Sequence, residues 1–326
     1  MNMERDLLVG STGFVGTNLA AAHPFGLEVH SSNVERSFSD SFDLVVYAGI
    51  PGTKFLANLN PAADSKVIEQ AKNNIKHIQT ERLVLISTTD VYGKNKEVSE
   101  VDSPSPAGLN AYGLHRLQLE QWVQSHYPGA LTIRLPAIYG NNLKKNFVYD
   151  LVHRSPAFLS DTKYEELKGL SPLIERNYQW DASGLWKNER LEHAAEMDDW
   201  FESQPFNALS FTDSRSVFQF YDLRRLWGHI EWALASDCRV LNIAPPPLSA
   251  HSVYEYIYGK KWENVLDKPV FDYDMRSCLL TEDEHGIGYL ESPEEELEQL
   301  KRFILKKRDV GLLQSATPSL RLHNAI

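Results

Sequence analysis

Leu7, Leu8 and Val9 form a short apolar run, GSTGFVG follows, and Val15, Leu19 and Ala20 then recur at roughly helical spacing until Pro24. This pattern predicts strand, glycine turn and helix. Leu27 to His30 predicts a second strand, and DLVVYAG, Asp43 to Gly49, a buried third strand ending in the small residues Ala48 and Gly49. Val67, Ile68, Ala71, Ile75 and Ile78 mark one face of a helix from about Pro61, after which LVLIS, Leu83 to Ser87, is wholly apolar again. In NAYGLHRLQLEQWV, Leu114, Leu117 and Trp122 can pack inward while Tyr112 and Arg116 share a face, one helical turn apart. LTIRLPAIYG reads as a further strand that ends with Tyr139 and Gly140. Strands alternating with helices and buried on both faces predict an α/β fold with a doubly wound parallel sheet.

From Asn141 to Asp213 the chain is richer in charge and tryptophan, with helical stretches KYEELKGLSPLIERNY and NERLEHAAEMDDWF. Trp180, Trp186 and Trp200 either stack on a base or sugar or belong to a core. Phe218 to Ala244 returns to the sheet, and SPEEELEQLKRFILKK predicts a helix with Ser292 ahead of Pro293. The expected division is residues 1–140 plus 216–250 as a nucleotide-binding domain and 141–215 plus 251–326 as a smaller, largely helical substrate lobe. His285 is a lone histidine to which no role is assigned.

A formal net charge of -11 argues against nucleic acid or an anionic membrane as partner, leaving a small molecule as the expected one. Cys238 and Cys278 have no metal-ligand spacing, so neither a disulfide framework nor a metal site is expected. Acidic residues near the N-terminus and the lack of a membrane-length apolar run give the expectation of a soluble, cytoplasmic protein.

Gly10, Gly13 and Gly16 are spaced three residues apart, around Thr12, Phe14 and Val15. A glycine there admits positive φ and lets backbone approach a pyrophosphate, whose charge is favoured by the open N–H groups of the helix start; the alternative is a tight turn with no ligand. The second strand ends in Ser31, Ser32 and Asn33, with no carboxylate to repel a 2′-phosphate and with Arg36 close enough to pair with one. That favours NADP over NAD, unless Arg36, next to Glu35, is simply a solvated charge. STTDVYG delivers Ser87, Thr88 and Asp90 to the carboxyl edge of the sheet, where they either hydrogen-bond a substrate oxygen or cap the strand.

The glycine turn, DLVVYAG, STTDVYG, YGLHR and RLPAIYG follow one another in an order that resembles the extended short-chain dehydrogenase/reductase family, the nucleotide-sugar epimerases, dehydratases and reductases. SRSVFQFYDL, Ser214 to Leu223, is similar to the segment in which that family's arginine grips the substrate diphosphate, and VLNIAPP, Val240 to Pro246, to its last sheet strand. The resemblance covers most of the chain. It implies a Rossmann-type sheet, with the three glycines around a cofactor pyrophosphate and further cofactor contacts from Ala48, Gly49, Ser87 and Pro136. It implies Thr88 on the reacting oxygen, Tyr112 as general acid or base, and Asp90, Asn142, Arg215 and Arg276 toward the substrate, Arg215 on a phosphate. Arg276 has a salt bridge to Asp272 or Asp274 as its alternative. A homodimer through the tyrosine helix is also implied.

A free tyrosine has a pKa near ~10 and needs a nearby positive charge to move protons near neutrality. The family supplies it with a lysine four residues after the tyrosine, which also holds the nicotinamide ribose; this chain has Arg116. Arginine keeps the charge and can reach a ribose, but it is longer, planar and unable to release a proton. The family's dehydratases have an aspartate followed by a glutamate where this chain has Thr89 and Asp90, which argues against dehydration and leaves Asp90 as base or turn residue. The short link before DLVVYAG resembles the reductases that act on 4-keto sugars with NADPH. Two readings stand: an NAD(P)-dependent oxidoreductase or epimerase of nucleotide sugars, and a non-catalytic NADP-binding sensor or scaffold.

Overall fold

The alternation in β1 (Asp6–Val9) sends Leu7 and Val9 into one core layer and Leu8 into another, so this strand needs cover on both faces. The computed structural model describes residues 5–94, 96–190, 193–279 and 288–315; His285 lies outside them. After β1 come α1 (Phe14–Ala22), β2 (Leu27–Val29), β3 (Ser41–Tyr47), α2 (Lys54–Leu59), α3 (Pro61–His77), β4 (Gln79–Thr88), β5 (Lys96–Val98), α4 (Ala111–His126), β6 (Leu131–Leu135) and β7 (Ala137–Tyr139). Then follow α5 (Phe147–Val152), β8 (Phe158–Leu159), α6 (Asp161–Lys168), α7 (Pro172–Asn177), β9 (Tyr178–Trp180), β10 (Trp186–Asn188) and α8 (Ala194–Glu202). The last elements are β11 (Val217–Phe218), β12 (Phe220–Asp222), α9 (Leu226–Ala235), β13 (Val240–Asn242), β14 (Leu248–Ser249), α10 (Ala250–Tyr258), β15 (Asp274–Met275) and α11 (Pro293–Ser315).

Two compact units result: Met1–Leu143 with Val217–Leu248 and Phe271–Pro293, and Lys144–Ser216 with Ser249–Val270 and Glu294–Ile326. The first holds a six-stranded sheet in the order β2-β1-β3-β4-β6-β13, every neighbour parallel. Its order reverses at β1, between β2 and β3, and such a switch point opens a crevice beyond the carboxyl ends of the strands. One face is covered by Leu19 of α1 and Trp227 and Ile230 of α9, the other by Ile68 and Ile75 of α3 and Leu119 and Val123 of α4. This is the Rossmann-type doubly wound sheet that the strand pattern predicts.

Three segments differ from the sequence reading. LTIRLPAIYG is two strands, because Pro136 has no N–H to donate: β6 stays in the large sheet, and β7 pairs in parallel with β12. KYEELKGLSPLIERNY breaks into α6 and α7, with the Ser171 side chain capping the second helix at the Leu173 amide and Pro172 in its first turn. Residues 271–293 belong with the first unit, where the sequence reading placed all of 251–326 in the second lobe; β15 pairs in parallel with β5, and the Arg276 amide donates to the Val98 carbonyl.

The second unit is largely helical, with a small antiparallel sheet in the order β8-β10-β9. Its core gathers Leu159, Tyr164, Leu167, Ile174, Tyr178, Met197 and Phe201. Trp186 stacks on Tyr164 at 3.6 Å between ring centroids and Trp200 packs against the same cluster, so both are core residues, whereas Trp180 is exposed. Among the described residues no helix is long and apolar enough to cross a membrane.

Candidate active site

The turn between β1 and α1 is fixed by backbone. Gly10 sits at φ +92° with its amide on the Val29 carbonyl at 2.7 Å, and a Cβ there would lie 2.5 Å from the Ala48 carbonyl oxygen. A Cβ on Gly16 would lie 2.0 Å from the Gly10 carbonyl oxygen, so these two positions demand glycine. Gly13 has φ -76° and is exposed; it begins α1 without a side-chain cap. The amides of Phe14, Val15 and Gly16 open the first turn of the helix, where they have no intrahelical partner and favour an anion. Strand end, close backbone approach and uncapped helix start together fit a nucleotide pyrophosphate. At the end of β2, Ser31, Ser32 and Arg36 are exposed and Asn33 accepts the His30 amide through its side chain; among the described residues the Arg36 side chain has no hydrogen-bond or ion-pair partner.

Asn18, one turn further along α1, is buried and ties the helix to the end of β7. Its amide nitrogen donates to the Phe14 and Asn141 carbonyls at 2.8 and 2.9 Å, and its side-chain oxygen accepts the Asn141 amide at 3.0 Å. A Cβ at Gly140 would lie 2.7 Å from that oxygen. Asn142 follows in the left-handed region at φ +64°, exposed.

Tyr112 and Thr88 meet across α4 and the end of β4. Asn110 caps α4 by accepting the Gly113 amide at 3.0 Å, and Gly113 lets the helix press against the next turn, since a Cβ would lie 2.4 Å from the Asp90 carbonyl oxygen. Burial pushes the Tyr112 phenol above its ordinary value; the Arg116 charge pulls it down, Asp90 pushes it up, and a hydrogen bond with Thr88 and the charge of Lys54 pull it down again. Thr88 is buried, and its hydroxyl accepts the Asp90 amide at 3.2 Å.

Arg116 does not reach outward. Its Nη1 donates to Asp64 Oδ2 at 2.5 Å and to the Tyr112 carbonyl at 3.3 Å, its Nη2 donates to the Pro51 carbonyl at 2.7 Å, and its guanidinium lies 4.0 Å from the centre of the Tyr112 ring. His115 Nδ1 also meets Asp64 Oδ2, at 2.7 Å. The arginine therefore props the tyrosine ring and lends it charge, with its terminal donors turned to protein groups. Asp90 is paired to Lys54, with Nζ 2.7 Å from Oδ1, and Lys54 also donates to the Tyr273 hydroxyl at 3.2 Å. Sequence reasoning missed Lys54, Asp64 and Tyr273. Only Lys54 left a trace, a cation just past the small-residue strand end where ligands approach such sheets.

Several expected contacts have other partners. The Ser87 hydroxyl donates to Glu120, a fully buried carboxylate that also holds Arg134 by a bond of 2.7 Å. Pro136 is the break between β6 and β7, half-buried, while Ala48 and Gly49 are half-buried just past the end of β3. Arg276 lies in the first unit and pairs with Asp274 at 3.0 Å, the alternative its sequence left open. Arg215 lies in the second unit and is clamped to Asp213 through Nε at 2.9 Å and Nη2 at 2.7 Å.

Residues 5–158 match the family model described as RmlD substrate binding domain. The match spans just under half of the chain, and over that segment the sequence is similar to this family. The whole chain is similar in fold to dTDP-4-dehydrorhamnose reductase from Yersinia enterocolitica, at 15% identity and TM-score 0.55 over 93% of this chain and 99% of that one. It is similar to the NAD-dependent NDP-hexosamine 5,6-dehydratase TunA of tunicamycin biosynthesis, at 15% identity and TM-score 0.60 over 94% and 98% of the chains. It is also similar to Bordetella bronchiseptica WbmG in complex with NAD and UDP, at 16% identity and TM-score 0.56 over 95% and 94%. At these identities the likeness is one of fold. In sequence, methionine adenosyltransferase 2 subunit beta of Danio rerio is 34% identical over 89 residues, 27% of this chain and 25% of that protein, so the match spans about a quarter of the relative's length.

Proposed function

We propose that this protein is an NADP-dependent oxidoreductase or epimerase of nucleotide-activated sugars, with Tyr112 as general acid or base. The observation that carries the reading is Tyr112 buried beside Thr88 at the carboxyl end of β4, with Arg116 stacked on the phenol, in a chain whose glycine turn fits a pyrophosphate. The nicotinamide, when bound, supplies or accepts the hydride. Tyr112 gives its hydroxyl proton to the sugar oxygen as the carbon is reduced, or takes it as the alcohol is oxidised, and Thr88 holds that oxygen. The exposed Arg36 guanidinium, which could pair with a 2′-phosphate, supports the choice of NADP over NAD in this reading. Arg215 would release the Asp213 carboxylate to meet a substrate phosphate. A homodimer is proposed with this reading.

A panel of dTDP- and UDP-linked 4-keto sugars offered with NADPH and with NADH tests it. Consumption of NADPH is expected, and Tyr112→Phe should lower it by at least about a hundredfold, the range of general acid loss. Tighter binding of NADH than NADPH would reverse the cofactor assignment.

A second reading, an NADP-binding subunit that supports a partner enzyme, is favoured by the engagement of Arg116 with Asp64 and Pro51. The partial sequence match to a protein named as a subunit of an adenosyltransferase supports the same reading. Tight NADPH binding with no turnover, unchanged by Tyr112→Phe, would select it.

A further inference from the structure

The charged groups around Tyr112 come from four elements of one unit. Arg116 comes from α4 itself, Asp90 from the turn after β4, Lys54 from α2, and Tyr273 from the residue just before β15. Arg116 leads on to Asp64 of α3, which also takes His115. The two cations differ in what they have left to give. The Nη1 and Nη2 of Arg116 are engaged by Asp64 and two backbone carbonyls, and its side chain is only 4% exposed. Lys54 has three N–H bonds, of which Asp90 and Tyr273 take two, and its side chain is 35% exposed.

We propose that Lys54 is a positioning residue of the Tyr112 site, supplying through Asp90 the second positive charge that brings the phenol to its working state, while Arg116 holds the ring in place. Positive charge thus reaches the site from two helices, from a buried guanidinium on α4 and a more accessible ammonium on α2. Asp90 is the hinge of the arrangement. Left alone, its carboxylate would oppose ionisation of Tyr112; paired at 2.7 Å with Lys54, that opposition is reduced, because the ammonium pulls the phenol the other way. Tyr273 keeps the ammonium directed at Asp90, hydrogen-bonding both partners at 3.2 and 3.3 Å. Burial works against the charge of Lys54, and Asp90 and Tyr273 more than offset it, so its pKa lies above the ordinary lysine value.

The inference rests on Tyr112 being the proton-transferring group, and its test reads that group without cofactor or substrate. Installing 3,5-difluorotyrosine at position 112 brings the phenol titration to a milder pH and gives a fluorine NMR signal to follow. Lys54→Met should raise the titration midpoint by about 0.5 to 1 pH unit, as loss of a nearby cation does. Lys54→Arg should restore it, and Asp90→Asn should move it the opposite way. A midpoint that Lys54→Met leaves unchanged or lowers, in protein with wild-type circular dichroism and melting, overturns the proposal. If the methionine variant melts early, Lys54→Gln gives the same reading with a shorter polar side chain. Failure of turnover with a shifted midpoint would count against the enzymatic reading alone.

Discussion

At Gly16 the smallest possible side chain is already too large, because the Gly10 carbonyl oxygen occupies the space a methyl would take. Gly16→Ala is expected to cost about 1–3 kcal/mol, the usual range for overpacking, and, if the turn holds the proposed dinucleotide, to weaken its binding at least about tenfold because the turn must open. Thermal unfolding and a fluorescence titration with NADPH check the two effects separately. His229 gives a second residue-scale outcome. Its Nδ1 lies 2.6 Å from the hydroxyl of the fully buried Tyr221, and burial, aided by the Arg225 charge, lowers its pKa to about 4. The folded state then binds fewer protons there than the unfolded chain, whose histidine titrates near ~6.5. The stabilisation is present above that value and is lost as the pH falls toward about 4. Urea melts at pH 7 and 4.5 should differ by on the order of 2 kcal/mol more in the wild type than in His229→Gln.

At the scale of elements, α4 is held to the sheet by a carboxylate as much as by its leucines. Glu120, two turns beyond Tyr112, accepts from Ser87 of β4 and from Arg134 of β6, and the side chains of the ion pair are 0% and 4% exposed. Removing one charge of such a pair strands the other. Glu120→Gln should therefore destabilise the protein by about 3–5 kcal/mol, whereas the double variant Glu120→Gln/Arg134→Met should recover much of that loss in chemical denaturation. A double variant no more stable than the single one would show that the pair is not the cause. Since Ser87 precedes Thr88 on β4, the same substitution is also expected to loosen the Tyr112–Thr88 contact and lower any turnover.

For the whole molecule, the parts legible in the sequence were those with a local signature. Strands buried on both faces are apolar runs, and the glycine turn must be glycine because backbone crowds it; both can be read without knowing the fold. The break at Pro136 was legible in principle, since a proline cannot donate within a ladder, but the apolar residues on either side masked it. The site around Tyr112 was legible only in part. Thr88, Tyr112 and Arg116 lie in recognisable motifs, whereas Lys54, Asp64 and Tyr273 reach them across long stretches of chain, Lys54 and Tyr273 being 219 positions apart, and no local spacing encodes such contacts. That Arg116 shares a helix face with Tyr112 follows from spacing, but its pairing with Asp64 does not: the buried carboxylate on α3 is one polar residue among many on that helix. Charge also acts at this scale. With a formal net charge of -11 the protein repels an anionic nucleotide at long range, so raising the ionic strength from about 10 to about 150 mM should speed nucleotide association in stopped-flow traces; a marked slowing would point to a local basic field strong enough to dominate.

The clasp between Asn18 and Asn141 joins the helix that follows the glycine turn to the end of β7, 123 positions later in the chain. The Asn141 amide hydrogen is consequently a built-in gauge. Whatever settles on the turn and quiets α1 should slow the exchange of that one hydrogen with deuterated solvent, giving a signal of occupancy that requires neither catalysis nor a known substrate.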